Sequence, residues 1–116
     1  MAAKELRDPA LSILAVLAGG RRHGYAILKE AEQLSGGRVV LKVSSLYAAL
    51  DRLEKDGLVE RAGDEIADGR LRRFFTLTDV GADALRREAE HMEAQAKVTR
   101  ERLALRRTAA LAGGAA

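Results

Sequence analysis

The sequence contains no cysteine, and this absence removes several kinds of chemistry. Without thiols there are no disulfides, no thiolate metal ligands and no cysteine nucleophile, which fits a reducing cytoplasm. Histidine is also scarce, because only His23 and His91 are present and neither stands at a ligand spacing from other donors. A glycine-rich phosphate loop is missing too. We therefore expect a cytoplasmic protein with no metal, no cofactor and no catalytic site.

Long apolar runs are missing as well. The apolar run over residues 11–18 reaches only about half of a membrane span, and Arg21 and Arg22 follow it at once. Glu5 and Pro9 interrupt the approach to this run. The pattern argues against a secretory signal or a membrane partner.

The hydrophobic and charged content of the chain is typical of a small folded protein. The chain has 116 residues, of which 47% are hydrophobic and 32% charged, and this predicts a single domain with one core. The net charge is +3, and basic residues cluster near the end of the chain. A solvated helix face or a frayed tail is the simpler interpretation of that cluster. Its members are Lys97, Arg100, Arg102, Arg106 and Arg107.

The most informative stretch is residues 42–61, KVSSLYAALDRLEKDGLVER. Its apolar residues recur at helical spacing and predict an amphipathic helix over residues 44–56, capped by Ser44 or Ser45 and stopped at Gly57. A strand should follow. A short helix with small and basic side chains outward, followed by a strand and a basic hairpin, is typical of a winged helix-turn-helix that enters the DNA major groove. The predicted buried stripe is Leu46, Ala49, Leu50 and Leu53.

Two helices are predicted before this stretch. The first opens at Asp8 and Pro9 and ends at Gly19, and the second runs over about residues 24–34 with Tyr25 in its apolar set. His23 stands where a cap or a packed ring is expected. Residues 38–42 form either a short strand or an extended approach to the next helix.

A basic hairpin is predicted after the amphipathic helix. Strands over 58–62 and 70–77 flank a loop over 63–69, in which Asp68-Gly69 is a hairpin-turn signal. The second strand is rich in arginine, whereas the loop carries opposing acidic residues that weaken the case for a tip inserted into DNA. The arginines are Arg70, Arg72 and Arg73, and the acids are Asp64, Glu65 and Asp68.

The last helix is predicted from a Thr78 cap to about Arg107, with residues 108–116 as a disordered tail. Its apolar and small residues alternate at spacings of four and three, which is a heptad seam that predicts a homodimer. Packing within one chain is the alternative. The fold class is thus mainly α with a small β-hairpin: a winged helix-turn-helix domain over 1–77 and a dimerisation helix over 78–107. The seam consists of Leu85, Ala89, Met92, Ala96, Thr99 and Leu103.

Three motifs together resemble the PadR family of bacterial transcriptional regulators, in its short form with a single C-terminal helix. They are LSILAVLAGGRRHGYAIL from Leu11, SSLYAALDRLEKDGLV from Ser44, and GRLRRFFTLTDVGADAL from Gly69. The resemblance implies a dimeric repressor that binds a two-fold operator and is often released by a small phenolic or drug-like ligand or by stress. The chain departs from the family in having Ala48 where proline is frequent. It also lacks tryptophan, the aromatic plate of a drug-binding cavity in some short members.

The candidate DNA contacts come from the predicted helix, its approach and the hairpin. Tyr47 is either a phosphate contact or a tyrosine at the edge of the core, and Arg52 and Lys55 are either DNA contacts or solvated charges. A winged-helix module that binds another protein instead of DNA is the alternative function. The candidates are Ser44, Ser45, Tyr47, Ala48, Arg52, Lys55, Arg72, Arg73, Arg38 and Lys42.

Overall fold

A computed structural model of the chain describes residues 9–113 as four helices and a three-stranded antiparallel sheet. The described residues up to Arg86 form one compact unit, and those from Arg87 form a second. The sheet has the strand order β1-β3-β2. The predicted fold, mainly α with a small β-hairpin, is confirmed. Its elements are α1 (Ala10–Ala18), β1 (Arg22–His23), α2 (Gly24–Leu34), α3 (Val43–Lys55), β2 (Val59–Ala67), β3 (Arg70–Leu77) and α4 (Asp79–Gly113).

The core of the first unit is built around α1. This helix is apolar nearly all round, and Ile13 and Leu14 are completely buried. Pro9 is its N-cap and makes no side-chain capping bond, while the predicted cap Asp8 lies outside the described residues. The stripe predicted for α3 is confirmed, since its three leucines are buried and Ala49 packs against them. These leucines are Leu46, Leu50 and Leu53.

The start of α3 differs from the prediction. The helix begins at Val43 with Lys42 as N-cap and no side-chain capping bond, so the expected caps Ser44 and Ser45 are wrong. Because the helix starts one residue earlier, both serines lie inside its first turn and are exposed. Residues 38–42 are not a strand, and Lys42 has extended backbone angles that lead into the helix.

The β2–β3 hairpin, residues 59–77, is the wing. The predicted loop over 63–69 is wrong, because β2 continues to Ala67 and only Asp68 and Gly69 turn the chain. Both have positive φ, 52° and 72°, as a two-residue hairpin turn requires. A bulge between Arg61 and Asp64 absorbs one extra residue and lets pairing resume beyond it.

Thr78 and Gly81, at the junction between the wing and α4, connect the start of α4 to the segment that follows α3. The Thr78 hydroxyl caps α4 by accepting from the Gly81 N–H at 3.0 Å, as predicted, and donates to the Gly57 carbonyl at 2.6 Å. Gly81 lies so close to Leu58 that an added Cβ would stand 2.9 Å from its carbonyl carbon. The first turn of α4 therefore packs directly on the backbone that follows α3.

The end of α4 also differs from the prediction. The helix runs to Gly113, so residues 108–113 are helical and not part of a disordered tail. Residues 114–116 of that predicted tail lie outside the described residues. Alanine and arginine dominate residues 104–112, and both favour helix.

We predict that Gly81→Ala lowers the free energy of unfolding by about 1–3 kcal/mol, because the added methyl must displace backbone at Leu58. Urea denaturation measures this difference. Gly113→Ala is the matched control in the same helix, since nothing lies within 4 Å of its added Cβ. Equal stability of Gly81→Ala and the parent would contradict the close packing.

Candidate nucleic-acid interface

The outward face of α3 carries the residues proposed from the sequence to read DNA. Arg38 and Lys42, which precede the helix, are also exposed. Asp51 lies on the same exposed side, so the face is mixed in charge. Its side chains are small near the N-terminus and long and basic near the C-terminus. The exposed candidates on α3 are Ser44, Ser45, Ala48, Arg52 and Lys55.

Tyr47 connects α3 to the start of α2. A Cβ added at Gly24 would stand 2.5 Å from the Tyr47 hydroxyl oxygen and 3.0 Å from the ring carbon that carries it. Glycine at position 24 is therefore what lets the ring lie across the first turn of α2. The side chain keeps 38% of its surface exposed, so Tyr47 lies at the edge of the core. Its contact with a phosphate stays a prediction.

An open groove of about 450 Å³ lies between the start of α2, Tyr47 and the wing. It brings together three of the predicted residues, Tyr47, Arg72 and Arg73, with several that sequence reasoning did not single out. The other predicted residues of α3 and its approach do not line it. The lining consists of His23, Gly24, Tyr25, Tyr47, Arg70, Leu71, Arg72 and Arg73.

The groove is strongly basic. Three arginines line it and no acidic residue does, and the positive end of the α2 dipole adds to their field. Asp64 and Glu65 stand opposite Arg73 and Arg72 in the strand register. Even so, within residues 9–113 neither of these two arginines forms an ion pair. The Glu65 carboxylate accepts from Arg21 at 2.9 Å and not from Arg72.

His23 organises the inner wall of the groove. The Ala26 N–H donates to its Nδ1 at 3.5 Å, and its ring packs edge-on against Phe74 with the ring centres 5.3 Å apart. Both roles expected from the sequence, cap and packed ring, are thus present. Burial lowers the pKa of His23, the positive charge of Arg72 lowers it further, and the Glu65 carboxylate acts in the opposite direction. The neutral ring is the form that accepts the Ala26 bond.

Sequence reasoning missed several residues of this site. Tyr25 was assigned to an apolar stripe, yet its side chain is 62% exposed and lines the groove. No role in the site is predicted from the sequence for Arg21 and Arg22, whereas Arg22 begins β1 and Arg21 contacts the wing. The available signal was the strand-like run of Phe74 and Phe75, which needed a second partner strand on its free edge.

Neither a metal site nor a membrane span is found in the part of the chain that the structure describes. Within it no group of histidine and acidic side chains is arranged to hold a metal ion. No described helix combines the length and the apolar character that crossing a bilayer requires.

Comparison with protein families shows which family the chain belongs to. The model of the "Transcriptional regulator PadR-like family" matches residues 13–87, which include most of α1, all of α2 and α3, the wing and the start of α4. The chain belongs to this PadR-like family. The matched region contains every residue of the groove.

Solved PadR-like structures agree with this assignment. A PadR family transcription regulator from Clostridium difficile is 27% identical, with a TM-score of 0.67, over 80% of this chain and 95% of that one. PadR of Bacillus subtilis, solved in complex with operator DNA, is 26% identical, with a TM-score of 0.61, over 71% of this chain and 46% of that one.

Curated relatives are less informative about function. An uncharacterized 37.1 kDa protein in a transposon of Streptomyces fradiae is 45% identical over 85 residues, 73% of this chain. The chain spans 23% of the length of that protein and 63% of an uncharacterized relative from Lysinibacillus sphaericus. The relationship to this PadR-like chain therefore covers only part of each relative.

We predict that acidification destabilises the PadR-like fold through His23. Because its folded pKa lies below the ordinary 6.5, the unfolded chain binds the proton more readily. The free energy of unfolding should therefore fall as the pH drops through 6.5 toward the lower folded value. His23→Asn keeps a capping oxygen that does not titrate, so its stability should vary less between about pH 7 and about pH 5.

Urea denaturation at several pH values measures this effect, with His91→Asn as the control because His91 is exposed on α4. The control should keep the pH dependence of the parent. An unchanged pH dependence in His23→Asn would show that His23 does not carry the effect.

Proposed function

We propose that the protein is a transcriptional repressor that binds double-stranded DNA as a homodimer in the cytoplasm, and that it is not an enzyme. In this proposal α3 enters the major groove and the wing meets the adjacent backbone. The observation that carries the proposal is the basic groove beside α3, with three arginines and the N-terminus of α2. The DNA complex of the B. subtilis relative supports it.

A DNA phosphate is the ligand that the groove suits best. Arginine side chains and helix N-termini are common phosphate donors in protein–DNA complexes, and such contacts fix the register of the protein on the duplex. Arg72 and Arg73 have no ion pair within residues 9–113 that a phosphate would have to displace. The partly exposed Tyr47 adds a hydroxyl donor at the same place.

The exposed face of α3 suits the reading role. Ser44, Ser45 and Ala48 are small, so the first turns of the helix can approach base edges closely. Arg52 and Lys55 lie further along the same helix and would meet the backbone at the edge of the groove. Arg38 and Lys42 flank the helix on the approach side.

The second unit supports a homodimer. From Arg87 to Gly113 the helix leaves Met92 and Leu103 exposed, at 43% and 60% of their surfaces. A long helix with such residues on a seam commonly packs against another helix. Leu85 differs from the rest of the predicted seam, because it packs against the core of its own chain. The proposed contact therefore involves Ala89, Met92, Ala96, Thr99 and Leu103.

A two-fold dimer would carry two copies of α3 and favour an inverted repeat as operator. Repression and release by a small-molecule effector belong to the same proposal and are supported by family membership alone. The acidic residues Asp51, Asp64 and Asp68 favour the second candidate, a winged-helix module that binds a protein. Salt dependence separates the two candidates, since binding to random duplex must weaken steeply as counterions compete.

We predict that the double variant Arg72→Ala/Arg73→Ala weakens binding to every duplex sequence. If each arginine contacts one phosphate, the slope of log K against log salt should fall in magnitude by about 2, roughly 0.9 for each lost contact. Titration with random-sequence duplex at several salt concentrations measures both quantities. Arg106→Ala/Arg107→Ala removes the same charge from the end of α4 and should keep the slope of the parent. A wing variant that binds random duplex as well as the parent at low salt would contradict the proposal.

We also predict that Met92→Glu/Leu103→Glu converts the protein to monomers, because it places two negative charges within the seam of each helix. Sedimentation equilibrium gives the mass, and circular dichroism confirms that the helices remain. Ala94→Glu is the matched control, because Ala94 lies on the opposite side of the same helix from the seam. An unchanged mass in the double variant would exclude this seam.

A further inference from the structure

We infer that Arg21 is a positioning residue that holds the wing at the angle needed for DNA binding and keeps Glu65 away from Arg72, without touching DNA itself. The inference rests on the proposed function. No sequence pattern singled out Arg21, which lies in the short segment between α1 and β1.

Arg21 contacts the wing at three points. Its Nε donates to the Ala62 carbonyl at 2.7 Å, and its Nη1 donates to the Glu65 carboxylate at 2.9 Å. Its guanidinium carbon lies 3.7 Å from the centre of the Phe74 ring. One side chain thus contacts β2 at the bulge and beyond it and stacks on β3, which connects the two strands.

The bulge is where such a tie has most effect. Two residues of β2, Ala62 and Gly63, stand opposite one residue of β3 between the pairs Arg61–Phe75 and Asp64–Arg73. A bulge bends and twists its strand, so it sets the direction of the outer wing. Gly63 has a φ of 93°, and a Cβ added there would lie 3.3 Å from Arg21 Nη2. The guanidinium therefore packs directly against the bent backbone.

Arg21 is itself held by the helical body. Arg22 Nη1 donates to the Arg21 carbonyl at 2.9 Å, and Arg22 Nε donates to Glu30 of α2 at 2.9 Å. The chain of contacts runs from α2 through Arg22 and Arg21 to the bulge. It connects the wing to the same helix whose N-terminus forms the groove wall.

The contact with Glu65 also protects the charge of the groove. Glu65 stands opposite Arg72 in the register, so an unpaired Glu65 carboxylate would pair with Arg72 or repel a phosphate. With Arg21 bound to it, the charge of this carboxylate is offset by the guanidinium. The Nε and Nη1 of Arg21 are occupied and one face of its guanidinium packs on Phe74, which leaves it poorly placed to serve as a phosphate donor.

Three variants separate the positioning role of Arg21 from the effect of its charge. Arg21→Met keeps most of the side-chain length but removes the charge and both hydrogen bonds. Arg21→Met/Glu65→Gln removes one charge of each sign, so its net charge equals that of the parent. Arg86→Met is the control, because Arg86 has an exposed ion pair with Asp83 at 2.8 Å and loses the same charge.

Amide hydrogen exchange of the free protein measures whether the wing is held. Peptides covering residues 59–77 should exchange faster in both Arg21 variants, while α1 peptides exchange as in the parent and serve as the internal reference. Arg86→Met should match the parent throughout. Unchanged exchange of the wing in both Arg21 variants would overturn the positioning role.

DNA binding is measured on a duplex that the parent selects from a random pool and on a random-sequence duplex. The double variant, whose net charge equals that of the parent, should bind the selected duplex about tenfold more weakly than the parent. Such a loss is expected when a contact surface is misplaced. Its salt slope should not change, because no phosphate contact is lost. A slope reduced by about 0.9 would show that Arg21 contacts a phosphate and overturn the inference.

Recovery of parental affinity by the double variant would show that Arg21 acts only by neutralising Glu65, and would likewise overturn its positioning role. If the parent binds neither duplex, the proposed function fails and the role of Arg21 in DNA binding fails with it. The exchange measurement still decides separately whether Arg21 holds the wing.

Discussion

The pairing of the two-residue strand β1 with β3 determines where the parts of the candidate interface lie. Arg22 pairs with Phe75 and His23 with Phe74, so the wing is attached to the segment that starts α2. Because β3 is the central strand, this attachment also orients β2. The arginines of β3 consequently face the N-terminus of α2 across the groove.

Two glycines allow the three family motifs to contact one another closely. Gly24, in the motif that begins at Leu11, leaves room for the Tyr47 ring of the motif that begins at Ser44. Gly81, in the motif that begins at Gly69, leaves room for the Leu58 backbone that follows α3. Residues far apart in sequence are therefore adjacent because one of each pair lacks a side chain. These close approaches fix α2, α3 and the start of α4 relative to one another within the first unit.

Local patterns in the sequence predicted most of the fold. The bounds of α2, the buried leucines of α3, the Asp68-Gly69 turn and the Thr78 cap all depend on residues within one or two helical turns of each other. The start of α3 and the end of α4 were local errors, whereas the errors in the sheet and the groove depended on longer-range pairing. β1 is too short to show periodicity, β2 was lengthened by a bulge, and the contacts of Arg21 join residues 41 and 44 positions apart. Tyr25 has the pattern of a buried residue, but its exposure follows from the groove beside it.

The proposed DNA-binding role is tested most directly by the sequences that the protein selects from a random pool of duplexes. Two copies of α3 related by a two-fold axis should enrich an inverted repeat, with half-site centres about 10 or about 20 base pairs apart so that both lie on one side of the duplex. Enrichment of such a repeat is the result that the proposal predicts. A pool that shows no enrichment, or a consensus sequence without two-fold symmetry, would contradict it.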